Sequence, residues 1–263
     1  MSARIKFAAR SEVGRVRTNN EDNLYCNGVF MTASARERPF FLSGVTETPC
    51  IFAVCDGMGG GDCGELASLT AIETISGHSQ DILNNILTSA PDESVRAFAD
   101  DANTKLRGIM KAQAIRMGTT LAMAVLGQES FTVYNIGDSR VFRVNDGRLL
   151  RVTDDHTVAE EKVRMGLLTP AKAETSKERH ILTRCLGGLS GQAAPDINGP
   201  YTFADNTGGL ICSDGLTDML RFPEIAGIMK AAANPEEAVN NLVDFALCNG
   251  GHDNVTCIVF WVC

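Results

Sequence analysis

Four times in this chain a short apolar run meets an aspartate, and the four meetings lie far apart in sequence. Ile51-Phe52-Ala53-Val54-Cys55 runs into Asp56-Gly57-Met58-Gly59-Gly60, and Leu210-Ile211-Cys212-Ser213 into Asp214-Gly215. Tyr134-Asn135-Ile136-Gly137 ends on Asp138, and Asp253-Asn254 opens the run from Val255 to Phe260 in the reverse sense. Brief, partly β-branched runs closed by turn residues are expected to be buried strands. Asp56 should then sit where a strand stops, with its carboxylate facing a cleft and not the core. Carboxylates carried to one place by four strand ends would make an oxygen-rich site for hard divalent cations.

Composition narrows the classes left open. The net charge of −8 argues against a general affinity for nucleic acid or for an anionic membrane surface. It leaves an anionic substrate possible, because bound cations invert the local field. Nine cysteines would mean a disulfide scaffold in a short secreted chain. Here the number is odd, no Cys-x-x-Cys occurs, and Cys55, Cys212 and Cys257 lie inside apolar runs, which indicates packed free thiols in a reducing compartment. Met1-Ser2-Ala3-Arg4-Ile5-Lys6 lacks the apolar core of a signal peptide. No run approaches the roughly 20 apolar residues of a membrane span. The expectation is a soluble cytoplasmic protein.

Along the chain, residues 5–10 are a first strand, followed by the polar loop from Arg15 to Asn23. Residues 31–50 carry Pro, Gly, Thr and Arg without a period and are expected to form a hairpin or surface insertion. Helical spacing covers Gly64 to Ser76, and Pro91-Asp92-Glu93 opens a second helix, proline and acids suiting a helix N-terminus. From Thr119 the period shortens to that of strands, with Asn145-Asp146-Gly147 as a hairpin turn. Residues 155–190 are polar and helix-prone, an excursion expected near the site. Asn234-Pro235-Glu236-Glu237 starts a last helix, and Val255 to Val262 is the final strand.

These pieces resemble one family, the metal-dependent protein phosphatases of type 2C in their bacterial form. The matching motifs are Val16-Arg17-Thr18-Asn19-Asn20-Glu21-Asp22-Asn23, Asp56-Gly57-Met58-Gly59-Gly60, Gly118-Thr119-Thr120 and Gly137-Asp138-Ser139-Arg140. After them come Leu182-Thr183-Arg184-Cys185-Leu186-Gly187, Ser213-Asp214-Gly215-Leu216-Thr217-Asp218 and Asp253-Asn254-Val255-Thr256. They stand in family order over residues 12–260. The resemblance implies an α+β fold, a four-layer α-β-β-α sandwich of two antiparallel sheets flanked by helices. It further implies that residues 1–263 form a single catalytic domain with a flap at about 155–190. The implied activity is hydrolysis of phosphoserine and phosphothreonine with Mn²⁺ or Mg²⁺ by attack of a hydroxide shared between two core ions, a third ion binding more weakly. Phosphorylated proteins would be the substrates and a Ser/Thr kinase the antagonist of a monomeric enzyme.

Residue by residue, the resemblance implies that Asp56 and Asp214 hold the metal pair. Asp253 and the Gly57 carbonyl would complete it, and Asp22 would act beside the first metal, directly or through water. Asp138 and Asp218, with Asp214, match the third ion's site. Arg17 matches a phosphate clamp, since a guanidinium can take two phosphate oxygens at once. The plain alternatives are turn or cap aspartates, a tight-turn role for Asp138, a helix-end role for Asp218, and a solvated arginine like Arg15.

The proton donor is a gap in the pattern. Many members carry a histidine where this chain has Met58, and others three residues on, where it has Gly61. An alkoxide leaves poorly without an acid, so a metal-bound water is expected and no histidine takes the role. His156 falls near the flap and His180 off the usual flap position, which is Ser176. His252 is expected to be structural or exposed, and His78 a surface residue. The flap's charges, Glu160, Glu161, Lys162, Arg164, Lys172, Lys177 and Arg179, are expected to form a solvated face, with Thr183 and Arg184 as anchors. Two other functions stay open: a catalytically weak phosphoprotein-binding regulator on the same fold, and a metal-dependent small-molecule phosphatase.

Overall fold

Strands that are apolar along their whole length need cover on both faces, and this chain supplies it with a second sheet on one side and helices on the other. The computed structural model describes residues 2–35, 38–60, 63–86, 91–188, 194–204 and 206–263. The first strands are β1 (Arg4–Glu12), β2 (Asp22–Cys26), β3 (Val29–Phe30), β4 (Phe40–Glu47) and β5 (Cys50–Gly59). Two helices follow, α1 (Cys63–Ile86) and α2 (Pro91–Gln113), and then β6 (Met117–Thr119), β7 (Leu121–Leu126), β8 (Ser130–Ile136), β9 (Arg140–Asn145) and β10 (Arg148–Arg151). The short helices α3 (Val158–Arg164) and α4 (Pro170–Ala173) precede β11 (Asp196–Thr202) and β12 (Gly208–Cys212). The chain closes with α5 (Asp214–Thr217), α6 (Phe222–Ala231), α7 (Pro235–Cys248) and β13 (Val255–Val262).

Among the described residues one sheet runs β10-β9-β12-β13-β1-β4. The other runs β11-β8-β7-β5-β2-β3, with β6 beside the end of β5. Every pairing is antiparallel. The two-residue strand period divides β5 between two cores. Ile51, Ala53 and Cys55 pack under α1 and α2, while Cys50, Phe52 and Val54 meet the other sheet. In β13, Ile258 and Phe260 join that central core, and Val255, Cys257 and Val259 pack under α6 and α7. Three apolar interlayers define the expected four-layer α-β-β-α sandwich of two antiparallel sheets.

Local expectations hold in several places. Asp146 and Gly147 turn the β9–β10 hairpin with φ of 50° and 68°, the left-handed pair that such a turn requires. Asn234 caps α7, its side chain accepting from the Glu237 N–H. Three expectations need correction. Residues 31–50 are not a surface insertion: β4 is an edge strand paired along β1, and its missing period reflects a mixed, half-exposed strand. The first helix does not end at Ser76 but continues to Ile86. Asp56 does not end its strand, because β5 continues to Gly59 by taking β6 as a new partner. The strands β6 and β11 and the helix α6 had no distinct sequence signal.

Candidate functional site

The aspartates meet at one end of the sandwich because the strands that carry them are neighbours there. Asp22 opens β2 directly across from Asp56 on β5. Asp214 follows β12 as the first residue of α5, and Asp253 lies two residues before β13, the strand that pairs with β12. Asp138 follows β8. Glycine is needed at two of these junctions. A β-carbon on Gly57 would lie 1.9 Å from the Gly64 carbonyl oxygen, and one on Gly215 would lie 2.0 Å from that of Asn254.

Side-chain hydrogen bonds hold the junctions together, and they account for the motif residues between the acids. The Ser213 hydroxyl donates to Asp22 Oδ2 at 2.7 Å. The Asp56 N–H donates to Thr120 Oγ1 at 2.9 Å, the Thr119 hydroxyl donates to the Asp56 carbonyl at 2.8 Å, and Thr120 Oγ1 lies 2.6 Å from Ser139 Oγ. Asn254 accepts from the Glu21 N–H and donates to the Val13 and Asn19 carbonyls, each at 2.8 Å. That amide fixes the loop bearing Arg17 against the Asp253 segment.

The electrostatics are those of crowded anions. Burial pushes the Asp22 carboxyl up to about 7, with Asp214 and Asp253 adding to the shift against the Ser213 and Thr256 bonds. Asp56 is pushed well above the usual carboxylate range by burial, then by Asp22, Asp214, Asp138 and Asp253. Asp138 rises for the same reason, with Asp214 and Asp155 as its anionic neighbours. Burial and Asp214 raise Asp218 to about 6. Like charges disfavour one another's ionised form, and here five separate segments place them in mutual range. Three arginines offset this in part: Arg17 pairs with Asp253 and Arg179 with Asp218, at 2.8 and 2.9 Å, and Arg140 acts on Asp138 and Asp218 from its pair with Asp155. An all-carboxylate donor set with so little cationic compensation has the chemistry that hard divalent cations satisfy.

The sequence did not foresee what the flap brings. His180 Nδ1 lies 3.8 Å from Asp214 and 3.7 Å from Asp218. Among the described residues, His180, Asp214 and Asp218 are the one trio with donor atoms all within 4.8 Å of one another. The neighbouring carboxylates of Asp214 and Asp218 raise the His180 pKa, against partial burial. Arg179 is therefore no part of a solvated face, in contrast to Lys162, which pairs with Glu178 at 2.6 Å within the flap. The position of Arg179-His180 directly before the Leu182–Gly187 motif was the available signal. Glu21 also stands in the cluster, where burial raises its carboxyl. Met58 is half-buried on β5 opposite Gly118, and Gly61 lies outside the described residues. His252 is exposed, whereas His78 is half-buried and pairs with Asp101 at 3.0 Å, so it is not a free surface residue.

His156 is fully buried and braces the Asp138 turn. The Gly137 N–H donates to its Nδ1 at 3.0 Å, which leaves the proton on Nε2, facing Asp196 at 3.1 Å. Arg184, paired with Asp196 at 2.6 Å, closes the cluster, and the Thr183 N–H donates to the His156 carbonyl at 2.9 Å. Thr183 and Arg184 thus tie the flap root to the turn. His156→Ala is expected to cost about 2–3 kcal/mol by stranding the buried Gly137 donor. His156→Asn should recover part of this through Oδ1. Urea unfolding measures both, and an unchanged midpoint for the alanine variant would remove the brace.

A four-layer α-β-β-α sandwich with an acid-lined cleft at one end of its sheets is the class that fold and site define. The model of the family described as "Protein phosphatase 2C" matches residues 9–255. The chain belongs to the protein phosphatase 2C family. It is similar to the serine/threonine protein phosphatase PstP of Mycobacterium tuberculosis, with 32% identity over 97% of this chain and 44% of that protein. The chain thus spans less than half the length of that relative. With the serine/threonine phosphatase stp of Listeria monocytogenes the identity is 29% over 95% of this chain and 93% of that one. The crystal structure of M. tuberculosis PstP superposes with a TM-score of 0.80, 29% identity and 98% coverage of both chains. A structure of the PstP catalytic domain in complex with 2 manganese ions gives a TM-score of 0.77, 28% identity and 99% coverage of both.

Proposed function

We propose that the chain is a protein phosphatase that hydrolyses phosphoserine and phosphothreonine with Mn²⁺ or Mg²⁺, acting in the cytoplasm as a monomer against a Ser/Thr kinase. The observation that carries the proposal is the convergence of acids on half-buried Asp56, with Asp22 directly across the β2–β5 pairing and Asp214, Asp138 and Asp253 close enough to act on its charge. Asp56, Asp214, Asp253, Asp22 and the Gly57 carbonyl would hold two ions, and Asp138, Asp214 and Asp218 a third. When bound, such ions supply the Lewis acidity that ionises water and neutralises phosphate charge. Ser213 orients Asp22, and Thr119 and Thr120 fix the backbone at Asp56, so the donors would meet their ligands with little rearrangement. Residues 1–263 would act as one catalytic domain, with the flap at about 155–190 beside the cleft.

Arg17 stands at the rim on Asp253, within reach of a phosphate brought to the acids. A guanidinium there would take phosphate oxygens in pairs. Met58 has no proton to give and His180 is turned to Asp214 and Asp218, so the departing serine or threonine oxygen would take its proton from water in the cleft. Arg17→Ala should lower kcat/KM by roughly 10–100-fold, equivalent to one lost charge-assisted contact; an unchanged value would remove the clamp. The decisive experiment is metal-titrated phosphate release from a phosphothreonine peptide, with a cyclic nucleotide as control. The expected outcome is Mn²⁺-dependent release that chelator abolishes. Release that survives chelation, or a preference for the cyclic nucleotide, would overturn the reading.

A further inference from the structure

The end of the sandwich remote from the aspartates holds a cavity of about 430 Å³ between α6, the β9–β10 hairpin and the ends of β1 and β13, within the range of roughly 300–1,000 Å³ of small-molecule sites. Its apolar lining includes Leu149, Met229 and Trp261, and its polar lining includes Lys6, Lys230 and Asn206. The indole of Trp261 lies against Gly208, where a β-carbon would stand 2.6 Å from the ring, so that glycine makes room for the ring. No aspartate or glutamate side chain is among the described residues of the lining, although the chain's net charge is −8. Among the described residues, the lysines that pair with acids are Lys105 and Lys162; Lys6 and Lys230, like Lys111, Lys172 and Lys177, form no ion pair there. An apolar body is accommodated by the indole and thioether surface, and an anionic head by the two lysines of the lining.

We propose that this cavity is a second ligand site, for a small amphiphilic anion: a compact aromatic or branched apolar body bearing one carboxylate, sulfonate or phosphate. It is distinct from the acidic cleft, since β12 separates Gly208 from Cys212 by about 13 Å at roughly 3.3 Å per residue, and Asp214 lies beyond the Cys212 end. In the metal-free protein an anion is expected here and repelled by the crowded carboxylates of the cleft.

Trp261 is the chain's single tryptophan, which makes its fluorescence a reporter on the cavity. The full chain, held in chelator, would be titrated with 8-anilinonaphthalene-1-sulfonate and separately with uncharged N-phenyl-1-naphthylamine. The expected result is saturable quenching of Trp261 with energy transfer to the probe, and at least tenfold tighter binding of the sulfonate. Lys6→Glu with Lys230→Glu, both at exposed positions, should weaken the sulfonate about tenfold and leave the neutral probe unchanged. The milder pair Lys6→Gln and Lys230→Gln serves if charge reversal disturbs folding. Equal affinity for the two probes, or a sulfonate affinity within twofold of the parent in the lysine variants, would overturn the proposal. Because no turnover is measured, the result does not depend on whether the acidic cleft hydrolyses phosphopeptides.

Discussion

Asp214→Asn should lower kcat/KM on a phosphothreonine peptide by about 10³-fold or more, on the order of 4 kcal/mol of transition-state stabilisation, while leaving the metal-free fold no less stable. Asp214 is the common neighbour of the cluster: its charge raises Asp22, Asp56, Asp138 and Asp218 alike. No other aspartate is shared between the proposed metal pair and the proposed third ion. Asparagine keeps the shape and one oxygen but removes the anion that two ions would share. In the metal-free protein the same change relieves repulsion, so the melting temperature should stay level or rise. Loss of activity without loss of stability separates a functional acid from a structural one. Turnover near that of the parent would exclude Asp214 from the chemistry.

The metal-free protein should lose stability as pH rises from about 4 to 7, and divalent cation should restore it. A carboxyl whose folded pKa lies above its unfolded value binds its proton more tightly when folded. The penalty is absent below the unfolded pKa, grows as pH rises, and is complete above the folded pKa. Asp22, raised to about 7, contributes at most ~4 kcal/mol by the rule of 1.36 kcal/mol per pKa unit, and Asp56 and Asp138 act in the same direction. Asp101 and Asp196, lowered by their cationic partners, oppose this only as pH falls through the acid range, and both are too exposed for a large effect. Thermal melts in chelator at pH 5 and 7.5, repeated with Mn²⁺, give the test. The Mn²⁺-induced rise should be larger at pH 7.5, where the carboxylates are ionised. A rise that is equal at both values would mean that these acids do not bind the ion.

Much of the site was legible because its donors lie at points where local chemistry is unambiguous. An apolar run closing on Asp-Gly can be read without knowing its partner, and so can Asn-Pro-Glu-Glu at the start of α7. What the sequence left unread depends on partners distant in the chain. Only the pairing of β5 with β6 carries that strand past Asp56, and only the neighbouring β1 turns residues 40–47 into an edge strand. Arg179 and His180 had the composition of a solvated flap, and only their place directly before the Leu182–Gly187 motif set them apart from Lys162 or Lys172. The fold of the flap brings them to Asp218 and Asp214.

By itself, then, the sequence determined which acids border apolar runs, which runs are buried on both faces, and which family's motifs they match. Those properties follow from side-chain chemistry and from periods of two or 3.6 residues along the chain. The tertiary structure alone decided which acids share a field, which cation answers which carboxylate, and that two unpaired lysines flank an apolar cavity at the opposite end. Those depend on distances across the sandwich, and Coulomb energy and burial act through space without regard to separation along the chain.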